Sequence, residues 1–228
     1  MITYKIHLIR HGLTDANFQG TYLGRTDLSL CDAGIQDLAR YAAGKEYPYV
    51  DKIYTSPLKR CRETAQILYP GRYTTDVEDL TELDFGAYEG RTLEELKDDP
   101  DFITWSRDSM HNAPPQGEDG VHFIQRLVAG LDAVFHDMME NQLRDVAVVV
   151  PGGVIMTCLA LMGFPRKPMG EWDSHQGGGF TILMTPELWM RDRVFEVMDV
   201  VPRDEEDLAD HWSQKKYYGD GEEMFFGE

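Results

Sequence analysis

Apolar and polar positions along the chain follow two periods in turn. Short β-branched apolar runs mark strands, and apolar residues three and four apart mark helices. "YKIHLI" is a strand that ends at Arg10. "SLCDAGIQDLARYAAG" has helical spacing and stops at Gly44. "VDKIYTS" is a second strand, ended by Ser56-Pro57, and "LKRCRETAQILY" is a helix that Pro70-Gly71 breaks. "GRYTTDV" reads as a short third strand. "DVAVVV" is β-branched without alternation, the pattern of a strand covered on both faces. "GGVIMTCLALMG" is the helix after it, and "FTILMT" and "DRVFEVMDVV" add two more strands. Strand and helix in alternation predict an α/β fold, a three-layer α/β/α sandwich with a mostly parallel sheet. Residues 85–141 interrupt the rhythm with "TLEELKDDPDFITWSRDS", a Pro/Gly-rich loop "NAPPQGEDG" and the long helical pattern "VHFIQRLVAGLDAVFHDMME". This segment is expected as a helical lid insertion, with Phe102 and Trp105 packing it onto the body rather than contacting a substrate, the alternative role for them.

Length and composition narrow the class. The 228 residues fit a single domain over 1–202 with a tail over 203–228. Hydrophobic residues make up 42%, enough for a core. No run approaches the roughly 18–20 apolar residues of a membrane span. The opening "MITYKIHLIRHG" lacks the basic-apolar-small order of a secretory leader. Cys31, Cys61 and Cys158 are scattered and form no C-x-x-C pair. A cytoplasmic protein is expected. The net charge of −18 argues against nucleic acid and anionic membrane as partners. The tail carries nine Asp or Glu against three Lys or Arg. Its Trp212, Tyr217, Tyr218, Phe225 and Phe226 suggest that part of it docks on the body. The sequence sets no oligomeric state.

The chemistry concentrates where strands end. "LIRHGLTDAN" places Arg10, His11 and Gly12 at a strand's C-terminal end, the edge where open α/β sheets bind ligands. Arginine's planar fork grips phosphate by two charge-assisted bonds. Histidine can attack phosphorus, and glycine lets backbone approach an anion. Asn17 lies six residues on. "SPLKRCRETA" places Arg60 near a helix start, and "LTELDFGAYEG" places Glu82 ahead of Glu89-Gly90. An arginine neutralises developing charge, and a glutamic acid delivers a proton.

R-H-G-x-T-x-A-N, S-P-L-x-R-x-x-x-T-A and E-x-x-F-G-x-x-E-G, in that order, resemble the histidine phosphatase (phosphoglycerate mutase-like) superfamily over about residues 2–184. The resemblance implies that His11 is the phosphorylated nucleophile and Glu82 the general acid. It implies that Arg10 and Arg60 clamp the phosphoryl group with Asn17 nearby. The implied activity is hydrolysis of a small phosphorylated metabolite, without metal or cofactor. "GTYLGRTDLSLCDAG" is similar to the small-molecule phosphatases, the α-ribazole phosphatase type among them. Mutases of the family carry an Arg-Arg pair in an insertion, and only Arg91 and Arg107 lie between Gly90 and Gly117. Phosphoglycerate mutase remains an alternative.

"VVVPGGVIM" departs from the family: Pro151 stands where its second catalytic histidine belongs. The amides of Gly152 and Gly153 remain to bind an anion at a helix start. His175, in the glycine-rich "DSHQGGGFTI", is a candidate replacement donor. Pro151 keeps open a second reading, a pseudoenzyme that binds a phosphorylated ligand without turnover. Arg25 is either an outer substrate contact or a loop charge. Glu118 is expected to cap the long helix. His7 reads as a satisfied face histidine, and His111, His122, His136 and His211 lack metal-ligand spacing.

Overall fold

In the computed structural model, which describes residues 2–202, the chain enters β1 (Tyr4–Arg10) directly. There follow α1 (Asp15–Gln19), α2 (Asp32–Gly44), β2 (Lys52–Thr55), α3 (Lys59–Leu68) and β3 (Thr74–Asp76). The middle of the chain forms α4 (Leu93–Leu96), α5 (Pro100–Arg107) and α6 (Gly120–Glu140). Then come β4 (Asp145–Val150), α7 (Gly152–Met162), β5 (Gly163–Phe164), β6 (Gly179–Met184), α8 (Pro186–Asp192) and β7 (Phe195–Val201).

Helix starts follow local capping chemistry. Thr14 and Asn17 cap α1 reciprocally, and Thr92 and Glu95 do the same for α4. Ser29 and Leu30 stay outside α2 because Cys31 is its N-cap, with Sγ accepting from the Gly34 amide. Asp99, Asp119 and Thr185 cap α5, α6 and α8.

The seven strands lie in the order β3-β2-β4-β1-β6-β7-β5. Every pairing is parallel except those of β6 with β1 and β7. Strand side chains alternate between two covered faces. Tyr4, Ile6, Leu8, Val146, Val148 and Val150 meet α6 and α7 in the larger core. Ile9, Ile53, Ala147 and Val149 meet α2 and α3 on the opposite face. Each fully buried Val, Leu or Ile adds about 1.5–3 kcal/mol.

Two parts of the 85–141 segment go to different places. α6 lies on the sheet, with Phe123, Leu127, Leu131, Val134, Phe135 and Met138 in the larger core. α4 and α5 form a separate cluster in which Phe102 and Trp105 pack with Tyr88, Leu96, Tyr22 and Phe85. The short α1, the two-residue β5 and α8 are elements that the apolar periodicity does not reveal. The expected docking of the tail lies outside the described residues. No described helix is long and apolar enough to cross a membrane.

The registers Arg10↔Val150, Thr55↔Val149 and Ile9↔Gly179 bring the ends of β1, β2 and β4 and the start of β6 to one edge. The candidate residues gather there.

Candidate active site

His11 follows β1, and its N–H extends the ladder to the Val150 carbonyl at 3.1 Å. The side chain is 4% exposed. Its Nδ1 lies 2.7 Å from the Gly12 carbonyl. A carbonyl only accepts, so Nδ1 carries the proton and Nε2 keeps its lone pair. Burial holds the imidazole well below its ordinary pKa, and Arg60 and Arg10 push the same way against the Gly12 bond. At neutral pH the ring is uncharged and nucleophilic. A side chain at Gly12 would meet Leu38 Cδ1 at 2.6 Å. The Gly12 amide donates to Thr64 Oγ1 at 2.9 Å, and that hydroxyl donates to the Arg60 carbonyl at 2.6 Å. The T-A of the second motif thus ties the His11 loop to the helix that carries Arg60.

Arg60 is fully buried. Its Nη1 donates to the Thr26 carbonyl at 2.9 Å and Nη2 to the Gly24 carbonyl at 2.7 Å. Arg10 Nη1 donates to Asp173 Oδ1 at 2.6 Å and to the Ser174 carbonyl. In both arginines Nε is buried without a partner among the described residues. A buried, unsatisfied donor on a guanidinium is costly, and an anion bound there would satisfy it.

Glu82 is 8% exposed. Its Oε2 accepts from the Gly153 amide at 3.0 Å and its Oε1 from the Leu83 amide at 3.0 Å. Burial raises its pKa, while these bonds and the charges of Arg60 and Arg126 pull it back. A protonated carboxyl is a proton donor. Gly152 and Gly153 open α7, with Pro151 as N-cap at φ −65° and ψ 159°. Any side chain at Gly152 would come within 2.8 Å of Arg10 Nε, and one at Gly153 within 2.4 Å of Glu82 Oε1.

Other expected residues stand further out. Asn17 Oδ1 accepts from the Thr14 hydroxyl at 2.9 Å and backbone N–H at 3.2 Å, so it shapes the loop after His11. The Arg25 side chain is about half exposed at the rim, 3.8 Å from Asp84 and 3.6 Å from Glu118. The loop that bears His175 pairs with the Arg10 backbone, but the ring packs edge-on against Tyr41 at 5.4 Å. His7 bonds Thr181 Oγ1 at 2.9 Å and Asp145 across the sheet. Among the described residues no His/Cys/Asp/Glu group could hold a metal ion.

One assignment changes. Glu118 does not cap α6. Asp119 does, accepting from the His122 amide at 2.9 Å. Glu118 instead pairs with Arg126 and accepts from the Asp84 amide at 3.0 Å. Arg126, which sequence reasoning passed over, donates to the carbonyls of Asp79 (3.0 Å), Thr81 (2.6 Å) and Glu82 (2.8 Å). It fastens the Glu82 backbone to α6. The one available signal was an arginine between Phe123 and Leu127 on an otherwise apolar helix face.

The cradle therefore combines a neutral imidazole, two guanidinium groups and a carboxyl of raised pKa, a set that suits a tetrahedral phosphoryl group. Residues 6–190 match the model of the histidine phosphatase superfamily, branch 1. Adenosylcobalamin/alpha-ribazole phosphatase of Salmonella typhimurium is 28% identical over 76% of this chain and 87% of its own. The uncharacterized phosphatase PhoE of Bacillus subtilis is 35% identical over 67% of this chain and 74% of its own. The solved alpha-ribazole phosphatase from Shigella flexneri shares the fold, with a TM-score of 0.71 and 23% identity over 86% of this chain and 95% of that one.

Proposed function

The chain belongs to the histidine phosphatase superfamily, and from that premise we propose a phosphomonoester hydrolase that works through a phosphohistidine on His11. The observation that carries the reading is the neutral, carbonyl-anchored His11 beside two arginines whose buried Nε atoms have no partner among the described residues.

The reaction has two displacements. Nε2 of His11 attacks phosphorus, the ester P–O bond breaks, and Glu82 protonates the departing oxygen. Water then attacks the phosphohistidine while the Glu82 carboxylate takes its proton, releasing phosphate and restoring both residues. Arg10 and Arg60 hold the phosphoryl oxygens. The Gly152 amide, at the start of α7, favours the anion. Asn17 orients the approach, and Arg25 contacts the far part of the substrate. The substrate is a small phosphorylated metabolite in the cytoplasm. The α-ribazole phosphatases among the relatives support that class.

Pro151 supplies neither a side-chain donor nor an N–H. One donor fewer on the transferring group costs about 10²–10³ in kcat. The enzyme is slow on this reading. Pro151 equally favours a second reading, a binding protein for phosphorylated ligands. Hydrolysis of an aryl phosphate by wild type, His11→Ala and Pro151→His separates the two. Slow wild-type turnover, abolished in His11→Ala and raised in Pro151→His, is expected. A wild type without turnover beside an active Pro151→His would establish the binding protein instead.

A further inference from the structure

The second carboxylate of the E-x-x-F-G-x-x-E-G segment, Glu89, takes no part in the chemistry above. It faces a strip of backbone. One carboxylate oxygen accepts from the Arg25 amide at 2.8 Å, the other from the Thr26 amide at 2.7 Å and from the Thr26 hydroxyl. The opposite side of that strip holds Arg60. The Gly24 carbonyl takes Nη2 and the Thr26 carbonyl takes Nη1, at 2.7 and 2.9 Å.

One peptide unit connects the two. The Gly24 carbonyl and the Arg25 N–H belong to a single planar trans group, so they point in opposite directions. An anion drawing the N–H one way turns the carbonyl the other way. It also polarises the unit and strengthens the bond to the guanidinium. Gly24 is pressed into this strip: a side chain there would stand 2.4 Å from Glu89 Oε1 and 2.2 Å from the Leu83 carbonyl. With both Nη atoms anchored on backbone, the rotation of the buried guanidinium is set, and so is the direction of its Nε.

We propose that Glu89 is a positioning residue for the phosphoryl clamp: through the Gly24–Arg25 peptide it fixes the orientation of Arg60. The proposal rests on the reading of Arg60 as that clamp. Glu89 also holds the Arg25 amide, but Arg25 is read as a contact to the far part of the substrate. A bare phosphoryl mimic lacks that part, so the effect on such a mimic passes through Arg60 and vanishes when Arg60 is gone.

The test is a double-mutant cycle read by binding of orthovanadate, which needs no turnover. Glu89→Leu should weaken vanadate about tenfold or more, in line with the loss caused by misplacing a group near the chemistry by about 1 Å. Glu89→Gln, which keeps one acceptor oxygen, should recover much of that affinity. In an Arg60→Ala background neither change should matter. An equal loss in both backgrounds, or no loss in Glu89→Leu, overturns the proposal. Where Glu89→Leu fails to fold, Glu89→Ala, which removes both acceptor oxygens without adding bulk, carries the cycle. Should Arg60→Ala bind vanadate like wild type, the clamp itself is refuted, an outcome distinct from the failure of Glu89.

Discussion

His11 is a weak base by construction. Folded, it stays neutral well below its ordinary pKa because burial and two arginines oppose its charge. Unfolded, it takes a proton near pH 6.5. Stability linked to His11 is therefore complete above about pH 6.5 and is lost as pH falls toward the depressed folded value. Glu82, raised when folded, acts oppositely: its contribution is complete below the ordinary carboxylate range and fades as pH rises through the raised value. The expected result is that wild type loses more unfolding free energy than His11→Asn between pH 7 and pH 5.5, measured by urea titration. At this scale the sequence is informative about identity and silent about state. Arg-His-Gly after an apolar strand is visible as a phosphate-binding pattern. The tautomer, set by the carbonyl of the very next residue, is a matter of backbone direction. Arg126 was hidden because its partners are backbone carbonyls some 45 residues upstream.

α7 divides its obligations between helix and site. Two glycines in its first turn cost helix stability, about 0.5–1 kcal/mol each relative to alanine. They remain because Arg10 and Glu82 occupy the space that Cβ atoms would need. Gly153→Ala should leave the melting temperature unchanged or higher while displacing the Glu82 carboxyl. Turnover should then fall more for an alkyl phosphate, which needs protonation on leaving, than for an aryl phosphate with a good leaving group. Parallel kinetics on the two substrates, with a thermal melt, check this. Elements of ordinary length were legible because their periodicity spans several turns or pleats. α1 and β5, of five and two residues, are too short to show a period. α8 did carry a start signal, Thr185-Pro186, with Trp189 buried behind it. The sorting of α6 onto the sheet was not legible, because it depends on contacts with β1 and β4 rather than on its own pattern.

Across the whole molecule, the described strands run one way except β6. A strand that runs backward begins at the edge where the others end. The loop entering β6 is therefore delivered to the catalytic edge, bringing Asp173 and the Ser174 carbonyl to Arg10. The family resemblance already brought this loop toward the phosphate through His175, whereas periodicity did not foretell it, since it follows from the direction of one strand within the sheet. On the proposed reading Asp173, held on Nη1, and a phosphate taken up at Nε share one guanidinium. Each phosphate ion that the proposed hydrolysis leaves behind then stands beside a tethered anion that repels it. Asp173→Asn should hold phosphate severalfold tighter, the scale of a partly exposed ion pair, and show it as stronger product inhibition with an aryl phosphate. By inverting one strand, the fold carries its own eluent for the ion that the proposed chemistry discharges at every cycle.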